Sequence, residues 1–154
     1  MITTTMTNVL RFTEAYPSLV LRKMRPSTTL WMLTLADALQ KPLENYNKVR
    51  RDMATELGAK ERPATPQEAR QIGSPTVMDI PPAKQVQFGE DVAKLNATTV
   101  DIFIRPLPFA DIGADPIDGF ELAALRPFLE LPKGEQYAEA EGENDAAAKT
   151  GQQA

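Results

Sequence analysis

Residues 26–58, PSTTLWMLTLADALQKPLENYNKVRRDMATELG, constrain this chain more than any other stretch. The pattern predicts about 30 residues of helix, roughly 45 Å at 1.5 Å per residue. Leu35, Leu39, Pro42, Tyr46, Val49 and Met53 recur at alternating steps of four and three, which puts one apolar seam on one helical face. Leu30, Leu33, Leu43 and Leu57 broaden that seam. Pro26 suits a first helical position and Ser27 or Thr28 a side-chain cap. Gly58 is the natural stop, because glycine enters the left-handed conformation without a Cβ penalty. A helix this long in a chain this short needs a partner for its seam, inside the domain or on another subunit.

Pro42 is the irregularity. A proline inside a helix removes one hydrogen bond, here to the carbonyl of Ala38, and costs about 3 kcal/mol. A kink is predicted there, or a division into two helices over 27–40 and 42–57. Asp37–Lys41 and Glu44–Lys48 are i,i+4 pairs in the favourable order.

Residues 1–7 are polar and predicted to be flexible. Residues 8–16 suit a short helix, Pro17 interrupts or restarts it, and 18–24 supply further apolar residues for pairing with the long helix. Beyond Gly58 the stretch 61–85 is polar and proline-broken, an extended insert. Within it, Thr65-Pro66-Gln67-Glu68 has capping-box spacing, so a short helix is expected over 66–71. Thr76–Ile80 reads as a short strand and Phe88–Asn96 as a helix. Val100, Ile102 and Ile104 alternate with Asp101, Phe103 and Arg105, the clearest strand pattern in the chain. The two strands are expected to pair with each other or across a subunit boundary, since one strand alone leaves its backbone unsatisfied. A final helix is expected over 120–129. Residues 132–154 hold almost no large apolar side chain and read as a disordered acidic tail.

Composition narrows the chemistry. The 154 residues include no cysteine and no histidine, which removes disulfides, thiolate nucleophiles and the commonest general base and zinc ligand. No basic stretch followed by an apolar run marks a secretory signal, and no apolar segment approaches bilayer-spanning length. A cytoplasmic protein with no membrane partner is the expectation. Residues 1–60 carry nine Lys and Arg against five acidic residues, whereas 61–154 carry eight against sixteen. That asymmetry can orient subunits or steer a charged partner.

The loop 111–121 collects Asp111, Asp115, Asp118 and Glu121. Its spacing fails the calcium-loop pattern. Asp115-Pro116 and Asp118-Gly119 are turn dipeptides, and Asp118 is placed to cap the next helix. No catalytic, cofactor or metal residue is therefore assigned. Lys48, Arg50 and Arg51, with Arg22, Lys23 and Arg25, form the one positive run. It lacks interleaved aromatics or a nucleic-acid motif, so a solvated face or an ion-pair surface for a subunit is favoured over nucleic acid. Trp31, the lone tryptophan, suits a core or interface anchor.

The order of these elements is similar to that of a family of small, uncharacterised tailed-phage and prophage proteins. The similarity rests on residues 8–60, the strand 100–107 (VDIFIRPL) with its preceding helix, and the leucine-rich FELAALRPFLEL. It implies a phage or prophage origin, a place in the host cytoplasm or the virion, and a role in virion assembly or in an accessory interaction during infection. It carries no catalytic residues.

These readings converge on a helix-dominated α+β domain over 8–131 without enzymatic activity. The candidate interaction residues are Trp31, Leu35, Leu39, Tyr46, Val49, Arg50, Arg51 and Met53. The expected partners are further copies of the chain, other phage proteins or a host protein. An inhibitor of a host defence protein and a weak nucleic-acid-binding accessory protein are the alternatives.

Overall fold

The computed structural model describes residues 1–113 and 116–132. Five α-helices and three two-stranded sheets make up the described part, a helix-dominated α+β arrangement. The helices are α1 (Met6–Leu19), α2 (Pro26–Glu56), α3 (Pro66–Ile72), α4 (Gln85–Asn96) and α5 (Gly119–Leu125). The strands β1 (Ile2–Thr5) and β4 (Thr99–Ile102) pair antiparallel. So do β2 (Lys60–Pro63) and β3 (Thr76–Asp79). The two-residue strands β5 (Leu107–Pro108) and β6 (Leu129–Glu130) pair parallel.

The helix α2 runs unbroken through Pro42 for 31 residues, so the expected division at 40–42 does not occur. Leu35 and Leu39 on one side of the proline and Tyr46 and Ala54 on the other are all buried. Packing on both sides holds the helix across the missing hydrogen bond. Its start also differs from expectation. Arg25 stands at the cap position without a side-chain bond. Thr28 lies inside the helix, fully buried, and its hydroxyl donates to the Asp111 carbonyl at 2.5 Å. At the far end Gly58 has φ +86°, as the stop signal requires.

Pro17 likewise fails to end α1. Val9, Phe12, Ala15 and Leu19 of this helix are completely covered or nearly so, and α1 lies against both α2 and α5. Phe12 meets Phe128 edge to face, ring centres 5.4 Å apart, a favoured aromatic geometry.

Residues 1–7 are not a flexible lead-in. Ile2 sits opposite Ile102, both buried, and Thr3 opposite Asp101, whose carboxylate accepts the Thr3 hydroxyl proton at 2.7 Å. Four threonines, two methionines and one isoleucine gave little local signal; the long-range partner supplies the order. The expected pairing of 76–80 with 99–105 is corrected with it. Each takes a different mate: β3 pairs with β2 and β4 with β1. The stretch 61–85 is accordingly a β2–α3–β3 arm followed by a 3-10 turn at Pro82–Lys84. The expectation for 133–154 lies outside the described residues.

Candidate interaction surface

The eight candidate residues on α2 do not share one surface. Leu35 and Leu39 belong to the core, at 0 % and 1 % exposure, and are unavailable to any partner. Tyr46 is buried as well, its hydroxyl donating to Asn96 Oδ1 at 2.7 Å. The helix is rotated so that the buried line is Thr28, Met32, Leu35, Leu39, Tyr46 and Ala54. Met53 and Trp31 are half-buried at its margin. The Trp31 indole N–H donates to the Arg105 carbonyl at 2.7 Å, which fastens the segment after β4 to the first turns of α2.

Val49, Arg50 and Arg51 are exposed. The Arg50 guanidinium lies 5.9 Å from the centre of the Phe88 ring on α4, within cation–π range. Val49 joins Pro42, Asn45 and Tyr46 in lining an open groove of about 360 Å³ whose far wall is the end of α4 and β4. Leu30 and Leu33, read as a broadening of the seam, instead face outward at 64 % and 42 % exposure. Three residues apart on α2, they share one face. Phe103, just past β4, is 88 % exposed.

The arm is the second part of the surface. None of the residues of β2, α3 or β3 is buried, so its order comes from polar contacts made within itself. Arg62 joins its elements. Its Nε donates to Asp79 at 2.6 Å across the strand pair, and its terminal nitrogens donate to Glu68 on α3 at 2.9 and 3.2 Å. Thr65 caps α3, accepting from the Glu68 N–H at 3.3 Å, while its hydroxyl donates to the Glu68 carboxylate at 2.9 Å. These hydrogen bonds, that of Arg62 first and that of Thr65 next, hold the Glu68 carboxyl below the usual carboxylate range. Glu68 and then Asp79 stabilise the charged Arg62 further.

The acidic loop has structural duties. The Asp118 carboxylate accepts the Glu121 N–H at 2.8 Å, capping α5 as its spacing predicts. That backbone bond is the main reason the Asp118 carboxyl ionises more readily than usual. Asp115 lies outside the described residues. Among those described, no three acidic side chains converge in a way that could hold a metal ion. No described helix is long and apolar enough to cross a membrane.

Local sequence reasoning missed three features: the β2 half of the arm, the buried Glu121, and the outward turn of Leu30 and Leu33. Lys-Glu-Arg-Pro has no strand-like composition, and the buried Glu121 finds its partners, Ser18 and Arg22, about a hundred positions earlier in the chain. Compared with known proteins, the chain matches no family model, no curated protein and no solved structure.

Proposed function

We propose that this chain is a non-enzymatic phage or prophage protein that acts by binding other proteins, in virion structure or assembly. The observation that carries the binding part is the arm 60–79, ordered by its own ion pairs and caps while contributing no residue to the core. Projecting elements of this kind serve well for engaging neighbours, because they present both strand edges and side chains. The exposed pair Leu30 and Leu33 adds apolar area of the type that partner surfaces use. The phage assignment rests on the order of elements described for the sequence.

Light scattering on a sizing column, with the full chain and with Leu30→Asp/Leu33→Asp, tests the reading, together with a search for the chain in purified particles. A discrete oligomer reduced to a folded monomer by the substitutions, and presence in particles, is the expected result. A monomer at every concentration that is also absent from particles would overturn it.

A further inference from the structure

A groove of about 550 Å³ runs between β1 and α5, lined among others by Thr3, Thr4, Thr5, Arg11, Arg126 and Leu131. Side chains of successive strand residues point to opposite faces. A groove touched by three consecutive residues of β1 therefore follows the strand's edge rather than one of its faces. That edge is open: β4 is the one strand β1 pairs with among the described residues. An open edge offers backbone donors and acceptors to an extended segment laid beside it.

The groove is also cationic. Arg11 and Arg126 are exposed, and neither forms an ion pair among the described residues. No carboxylate lines the groove. Guanidinium groups recognise carboxylates through paired N–H donors, so the chemistry that fits is an extended, acidic peptide.

The chain supplies one. Leu131 lines the groove itself, and the sequence continues after Pro132 as KGEQYAEAEGEND, with Glu135, Glu139, Glu141, Glu143 and Asp145. Four residues beyond Leu131, Glu135 can reach roughly 14 Å at the extended limit of the chain, and Glu139 about twice that. Tethering this close also gives the segment an effective concentration that a free peptide would match only at about millimolar levels. We propose that the groove is a binding site for an acidic extended segment, and that residues 135–145 of the same chain occupy it, with carboxylates on Arg11 and Arg126. Occupied in this way, the edge of β1 is shielded from pairing with other chains.

The absence of native cysteine makes the test direct. A nitroxide placed on Ala123→Cys, an exposed groove residue, is read by amide signals in the isotopically enriched full chain. The proposal expects loss of amide intensity over 135–145, relieved by Arg11→Glu/Arg126→Glu and by roughly 0.5 M salt, which screens exposed charge pairs beyond a few Å. Intensity that stays at the level of the double variant, or loss that salt leaves unchanged, would overturn it. So would loss that arises only between labelled unenriched copies and enriched unlabelled ones, because the neighbour's segment would then be the occupant. The salt arm uses no charge variant and decides the matter even where the double variant fails to fold.

Discussion

The carboxylate of Glu121, 1 % exposed, receives two hydrogen bonds from the guanidinium of Arg22, ninety-nine positions earlier in the chain. The Ser18 hydroxyl donates a third at 3.2 Å. One buried acid thus ties the segment after α1 to the first turn of α5. Burial of a charge is tolerated only when the partner is in place. Removing Arg22 therefore strands the carboxylate. Arg22→Ala is expected to cost about 2–3 kcal/mol, below the roughly 3–5 kcal/mol for breaking a fully buried pair because the guanidinium side is partly exposed. Arg22→Met/Glu121→Leu should recover most of the loss, since it leaves no buried charge. Urea unfolding of the two variants measures both figures. Equal loss in the single and double variants would count against the pairing as the cause.

The two halves of the α2 seam should respond differently to truncation. Leu39 is 1 % exposed and Val49 42 %. Leu39→Ala is expected to cost about 2–5 kcal/mol through lost burial and the cavity left behind, and Val49→Ala no more than about 1 kcal/mol. Comparable shifts in the urea midpoint would mean that α2 is rotated from the orientation described.

Much of α2 was legible locally. Its length, the proline at its first position and Gly58 at its end are signals carried by single residues, and all three operate in the folded chain. Its rotation was not. The heptad-like line through Leu35, Leu39, Pro42, Tyr46, Val49 and Met53 is a sound apolar face, but the neighbours decide which side of a broad seam is covered. Here α1, α4 and β4 pack against α2, Thr28 is buried with its hydroxyl on the Asp111 carbonyl, and Leu30 and Leu33 are left outside. Alternation correctly oriented Val100, Ile102 and Phe103, because period two is a property of the backbone. The mates of β3 and β4 depended on strands whose own residues, Ile2–Thr5 and Lys60–Pro63, carry little apolar pattern. Apart from Arg50 and Arg51, the candidate interaction residues followed the apolar line of α2, and the fold placed Leu35, Leu39 and Tyr46 of them in the core.

The arm should open independently of the core. With no buried residue, its order depends on Thr65, Arg62, Glu68 and Asp79. Loss of a helix N-cap costs about 1 kcal/mol, a large share of what such a small unit has. Thr65→Ala is expected to raise amide hydrogen exchange across 60–79 about fivefold while leaving the buried amides of α1 and α2 unchanged. Equal acceleration in α1 would mean that the arm and the core unfold as one unit.

Acid should reveal the same partition. The carboxyls of Glu68 and Asp118 are both held below their ordinary range, by Arg62 and Thr65 in the first case and by the Glu121 N–H in the second. A carboxylate whose folded pKa is depressed contributes stability that is present above its unfolded pKa and lost as pH falls through the folded value. The loss therefore begins near the ordinary carboxylate pKa, about 4, and continues below it. Protonated Glu68 no longer holds the charged Arg62, and nothing buried keeps the arm in place. Protonated Asp118 loosens the first turn of α5, yet Ala124 and Leu125 remain packed in the core. Amide spectra recorded from pH 6 downward are expected to lose arm dispersion first, with the Glu68 amide moving before those of α1. Glu68→Gln should bring that transition to neutral pH without shifting the α5 signals. An arm that keeps its dispersion in the Glu68→Gln chain would assign its order to the strand pair alone and not to the Arg62 cluster.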